Sequence, residues 1–130
     1  LDCYLAVDKA CSDKFGVGSG GVTEYINRLN NARFAPNRDE VLPRLVKYRN
    51  IRNKFAHEVG SMRKCDDLAK EDVKWLRKFS KDLTKRRDPL SVYLRRARRY
   101  ARRRRARKAI FFAMLILLII AAVVLYFVLR

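Results

Sequence analysis

His57 is the only histidine in this chain of 130 residues, and Arg49, Arg52 and Asn53 precede it at spacings that a helix turns to one side. At about 100° per residue from Arg49, Asn53 falls at about 40°, His57 at about 80° and Arg52 at about −60°, while Tyr48, Ile51, Phe55 and Val59 gather between about 200° and 280°. A helix over this stretch has a wet basic face and a dry one. Arg52 and Ala56 are one turn apart, as are Asn53 and His57, and the small Ala56 leaves access at backbone level between guanidinium and imidazole.

Such a face suits phosphodiester chemistry on RNA. Attack by a ribose 2′-hydroxyl on its own phosphate needs a base for that hydroxyl, an acid for the leaving oxygen and positive charge on the non-bridging oxygens. An imidazole takes either proton role near neutral pH, a guanidinium forks onto the phosphate, and an amide orients the imidazole. One histidine cannot be acid and base in the same turnover, so a two-fold dimer that joins two such faces is the simplest complete arrangement. Glu58 is the one carboxylate beside His57, with Asp66 and Asp67 the next along the chain, so no carboxylate cluster suggests a metal alternative.

The run Arg52-Asn53-Lys54-Phe55-Ala56-His57 resembles the signature of HEPN domains, in which an Arg, a polar residue, three further residues and a His lie on a core helix of a small all-α bundle. The preceding stretch from Leu42 to Ile51 and the following Glu58-Val59-Gly60 also resemble that family's helix, and the likeness covers residues 1–87. It implies a metal-independent endoribonuclease that needs no cofactor, with Arg52 and His57 catalytic and Asn53 supporting, in a site completed across a homodimer. A defence or toxin component, held by a protein inhibitor or antitoxin, is one role in keeping with that. Many HEPN members have lost activity and serve as scaffolds, so a non-catalytic binding module and a charge-based nucleic-acid tether stay open beside the enzyme. Arg49 and Lys54 flank the motif as candidate RNA phosphate ligands, joined by Arg63 and Lys64 from the polar loop after the helix, although charges in such loops are commonly only solvated.

The net charge of +18 is concentrated near the C-terminal end. Arg95, Arg96, Arg98, Arg99, Arg102, Arg103, Arg104, Arg105, Arg107 and Lys108 place ten basic residues in fourteen positions. Directly after them, Ala109 to Leu129 is 21 residues without a charge, about 31 Å as a helix, against about 30 Å for a bilayer's hydrocarbon core. A single transmembrane helix is expected, with the basic run on its cytoplasmic side binding anionic lipid headgroups and the N-terminal domain in the cytoplasm as a tail-anchored protein. The position of the apolar run argues against a signal peptide. The same basic run would attract RNA phosphates with strong salt dependence, but Tyr93 and Tyr100 are its only aromatics, too few for sequence-specific reading.

The fold class expected is all-α: a four-helix HEPN-like bundle over residues 1–87, a basic juxtamembrane helix over 88–108 and a span over 109–129. The first helix carries Tyr4, Val7, Cys11 and Phe15 at helical spacing, widened by Leu5 and Ala10, and the Gly16–Gly21 run stops it as a connector without a ligand. A second helix begins at Thr23. Asn37 and Glu40 predict a capping box opening the third helix, with Pro43 kinking its first turns or delaying its start. The fourth helix is expected over 69–87, with Ala69, Val73, Leu76, Phe79 and Leu83 inward and Trp75 packing beside them. Asp88 as N-cap and Pro89 at the first helical position start the last. Cys3, Cys11 and Cys65 lack metal-ligand spacing and read as reduced thiols, with no metal site.

Overall fold

The computed structural model describes residues 2–57 and 69–130, and those residues form five helices and no strand. They are α1 (Asp2–Phe15), α2 (Gly21–Asn31), α3 (Arg38–His57), α4 (Lys70–Thr84) and α5 (Pro89–Leu129). The chain divides into two units, one ending at Leu94 and the other Arg95–Arg130. The first is a helical bundle in which α1 packs on α2 and α4, and α2 on α3. Its core takes Tyr4, Val7 and Cys11 from α1, Tyr25, Ile26 and Leu29 from α2, Leu45 and Tyr48 from α3, and Leu76, Phe79 and Leu83 from α4. Leu5, 47% exposed, lies outside the α1 stripe it was expected to widen, because it points about 100° away from Tyr4.

The helix ends follow from local chemistry. Gly16 (φ 67) takes the left-handed position after α1, and Val17 N–H donates to Ser12 O at 3.1 Å, closing the turn that satisfies the last carbonyls. Arg86 (φ 53) does the same after α4, with Arg87 N–H donating to Asp82 O at 2.8 Å, so α4 ends at Thr84 and not at Arg87. The start of α3 departs from the expected capping box. Asn37 is itself left-handed (φ 54), whereas an N-cap side chain reaches its donors from extended backbone; the Glu40 carboxylate turns forward to Arg44 at 3.6 Å. Pro43 is accommodated within α3 and does not delay its start.

Asp88 fulfils the expected cap: its Oδ2 accepts from Ser91 N–H at 3.1 Å, with Pro89 in the first helical position. The bundle unit therefore runs on past residue 87, because Asp88 and Leu90 are buried in it and Tyr93 packs against its core.

Gly21 is more than the end of a connector. It is the first residue of α2, and a Cβ there would lie 2.3 Å from Ser12 N and 2.4 Å from Asp8 O on α1. Both atoms are backbone, so the two helices would have to separate. Asp8 Oδ1 accepts from Val22 N–H at 2.9 Å and fixes the same junction. Gly21→Ala is expected to destabilise the bundle by about 1–3 kcal/mol, the usual cost of overpacking, read as a lower urea midpoint. An unchanged midpoint would show that α1 and α2 part freely.

Candidate functional site

The two sides of α3 have different duties. Toward α4, the Tyr48 hydroxyl donates to Asp72 Oδ1 at 2.6 Å, Lys47 pairs with Asp72 at 3.4 Å, and Arg44 lies over the Trp75 ring at 5.4 Å. Trp75 in turn stacks on Phe79 with ring centroids 5.0 Å apart, which bears out its expected core role. These contacts explain why α3 folds here despite its high polarity: its charges on this side are matched across the helix pair.

The Tyr48 hydrogen bond, followed by Lys47, holds the Asp72 carboxyl below the usual carboxylate range, while burial and that same bond push the Tyr48 hydroxyl up. A depressed carboxylate contributes stability above its unfolded pKa of about 3.9 and loses it as the pH falls through the lower folded value. Tyr48→Phe is therefore expected to cost about 1.5–3 kcal/mol near neutral pH, as for a hydrogen bond to a charged group, and to flatten the loss of stability below about pH 4. Urea denaturation of both proteins at several pH values checks this; parallel acid limbs would show that Asp72 is not the group responsible.

On its other side α3 packs Leu42 and Val46 against the core and opens only in its last turns. Arg52, Asn53, Lys54 and His57 are exposed and Arg49 is half-buried. Arg52 Nη1 donates to Asn53 Oδ1 at 3.3 Å, so the amide oxygen is engaged by the guanidinium. The face adjoins α1: burial pushes the Tyr4 hydroxyl up to about 12, Asp8 adds to this, and the charges of Arg52 and Arg49 pull it back. Thus Arg49, Arg52, Asn53, Lys54 and His57 share one helix, with His57 the last residue of α3 as described. Arg63, Lys64 and Cys65 lie outside the described residues, as do Glu58, Val59 and Gly60. Among the described residues no group of three or more His, Cys, Asp and Glu side chains comes together to hold a metal ion.

A second polar cluster escaped the sequence reading. Asp88, fully buried, accepts from Lys14 Nζ at 2.7 Å, Tyr25 Oη at 2.9 Å and Ser91 Oγ at 2.6 Å, and Lys14 also donates to Ser91 Oγ. Tyr25 Oη further accepts from Leu90 N–H at 3.3 Å. Burial, then Asp88, drives the Tyr25 hydroxyl far above its ordinary value. Asp88-Pro89 was legible as a cap, but nothing local announces partners 74 and 63 residues away. The nearby Cys11 thiol is pushed up to about 12, chiefly by burial, which makes it inert near neutral pH.

In the second unit the helix continues from Arg95 through Leu129, with every side chain of the basic run exposed. Its apolar part is long and apolar enough to cross a membrane, and none of that stretch is buried against protein. Fold and site together define a small all-α bundle with a basic helix face, carried on a chain that continues into an apolar helix. The chain belongs to a family of unknown function (DUF6548), which it matches over residues 1–109, the bundle and the basic run included. No curated protein and no solved structure matches it.

Proposed function

We propose that this is a single-span membrane protein whose bundle lies in the cytoplasm and cuts RNA without a metal, by HEPN-type chemistry on the open face of α3. The observation that carries the reading is the grouping of Arg52, Asn53 and His57, all exposed, on one side of one helix. In the reaction the 2′-hydroxyl oxygen bonds to phosphorus and the bond from phosphorus to the 5′ oxygen breaks, leaving a 2′,3′-cyclic phosphate and a free 5′-hydroxyl. One imidazole takes the 2′ proton and another protonates the departing oxygen. Arg52 balances charge on the non-bridging oxygens, assisted by Arg49 and Lys54 on flanking phosphates. The need for two imidazoles makes a homodimer part of the proposal, and tethering to a membrane favours it by concentrating copies in a plane.

Topology follows from charge. Ten basic residues flank the span on its N-terminal side, and positive residues resist translocation. A protease-accessible tag ahead of the bundle in intact cells would overturn that orientation. For the activity, purified protein with a mixed RNA pool and excess EDTA should generate 2′,3′-cyclic ends. A second reading, a non-catalytic scaffold, draws support from the Arg52 guanidinium already resting on Asn53 within one chain. RNA binding without cleavage in that assay would favour it.

A further inference from the structure

Residues Arg96, Arg99, Tyr100 and Arg103 follow the spacing i, i+3, i+4, i+7 and so form one face of the helix, and all four are exposed, Tyr100 by 72%. We infer that this face binds single-stranded RNA, Tyr100 stacking on a base while the three guanidiniums hold neighbouring phosphates. The inference rests on α5 spanning a membrane, as proposed above, and not on the chemistry of α3.

Height above the bilayer separates Arg96, Arg99 and Tyr100 from a lipid-binding surface. With Lys108 at the edge of the hydrocarbon, Arg96, Arg99 and Tyr100 stand about 18, 14 and 12 Å further along the helix, whereas the headgroup layer is about 5–8 Å deep. The helix contains no Gly or Pro between Leu90 and Leu129 at which to fold down onto the surface, and an average tilt of about 20° lowers these heights by only about 6%. Side chains on a helix lean toward its N-terminus, which here carries the guanidiniums away from the lipid. Arg102 to Lys108 remain within headgroup reach, so Arg103 is the one member of the face that lipid can also meet, but Arg96 is about 10–13 Å beyond the headgroup layer, more than a Debye length of about 8 Å.

Tyr100 points the same way. Membrane-belt tyrosines sit near headgroup level, a place that Tyr126, three residues from the other end of the apolar run, would take in a spanning helix. Tyr100 is above that level, with Arg96 one turn before it and Arg103 and Arg104 one turn after. An exposed ring among guanidiniums is the standard means of holding a single strand without reading its sequence.

The test uses the full chain in nanodiscs and, as probe, a 2′-O-methylated RNA of about 12 nucleotides, which α3 chemistry cannot cut. Tyr100→Ala should weaken binding by about 5- to 150-fold, the range for loss of one stacked base, and Tyr100→Phe should restore it. Replacing Arg96, Arg99 and Arg103 together by Gln should reduce the slope of log affinity against log salt by about 2. Each protein is also measured in discs with and without phosphatidylserine. Tyr100→Ala binding within twofold of wild type would overturn the inference. So would substitutions that abolish phosphatidylserine enrichment around the protein while RNA affinity holds, since the face would then serve lipid. Probe binding that depends on Tyr100 in a protein that never cleaves RNA would support this inference and count against the proposed activity alone.

Discussion

Replacing His57 by Ala is expected to lower RNA cleavage by about 10²–10⁴-fold, the usual contribution of a positioned proton-transfer group, under the catalytic reading proposed here. The change should leave the bundle intact, because His57 is exposed at the end of α3 and lies outside the core. In a composite dimer site the one substitution removes both acid and base, which places the effect at the upper end. Arg52→Lys should also be impaired, since an ammonium cannot reproduce a guanidinium's forked contact with phosphate. Both variants are assayed with EDTA present, scoring cyclic-phosphate ends at matched protein concentration. Undiminished cleavage by His57→Ala, or cleavage by wild type that EDTA abolishes, would falsify the mechanism.

The largest stability effect should come from Asp88→Ala, expected at about 3–5 kcal/mol, the cost of breaking a buried ion pair from one side. Three losses combine: Lys14 is left without its counter-charge, the buried Tyr25 hydroxyl loses its acceptor, and the first turn of α5 loses its cap. They share one carboxylate and do not add as independent terms. The Lys14 side chain is 20% exposed and has some route to water, which favours the lower end. A protein domain commonly has about 5–15 kcal/mol in all, so the variant should unfold at much lower denaturant. Asp88→Asn keeps an acceptor and a cap and should lose less. If Asp88→Ala unfolds within about 0.5 kcal/mol of wild type, the cluster is not a structural tie.

What the sequence made legible was periodic or local. Tyr4, Val7 and Cys11, or Leu76, Phe79 and Leu83, repeat at helical spacing, and each set is buried. Asp88-Pro89 announces a helix start because the donors it caps lie within three residues. The face of Arg52, Asn53 and His57 was readable as exposed because Tyr48, Ile51 and Phe55 lie on the opposite side of the last turns of α3, whereas Leu42 and Val46, earlier on the same side as His57, pack against the core. Asn37 and Glu40 misled because a capping box needs an extended residue at the cap, and Asn37 is left-handed in the turn that follows the buried Ala35. Gly21 was invisible as a contact since a glycine in a glycine run looks like slack; only its position against Ser12 reveals what its missing side chain permits. The Lys14 and Tyr25 bonds to Asp88 depend on how three helices meet, which no local pattern encodes.

Trp75 is the only tryptophan in the chain, held between Tyr48, at 5.7 Å, and Phe79, at 5.0 Å, with Arg44 over its ring. The molecule thus carries a single indole chromophore at the meeting of α3 and α4 and none in the apolar helix. Its emission colour and quenching will follow the bundle alone, even in detergent or lipid where α5 dominates the circular dichroism, and each denaturation measurement thus has an optical signal free of the apolar helix.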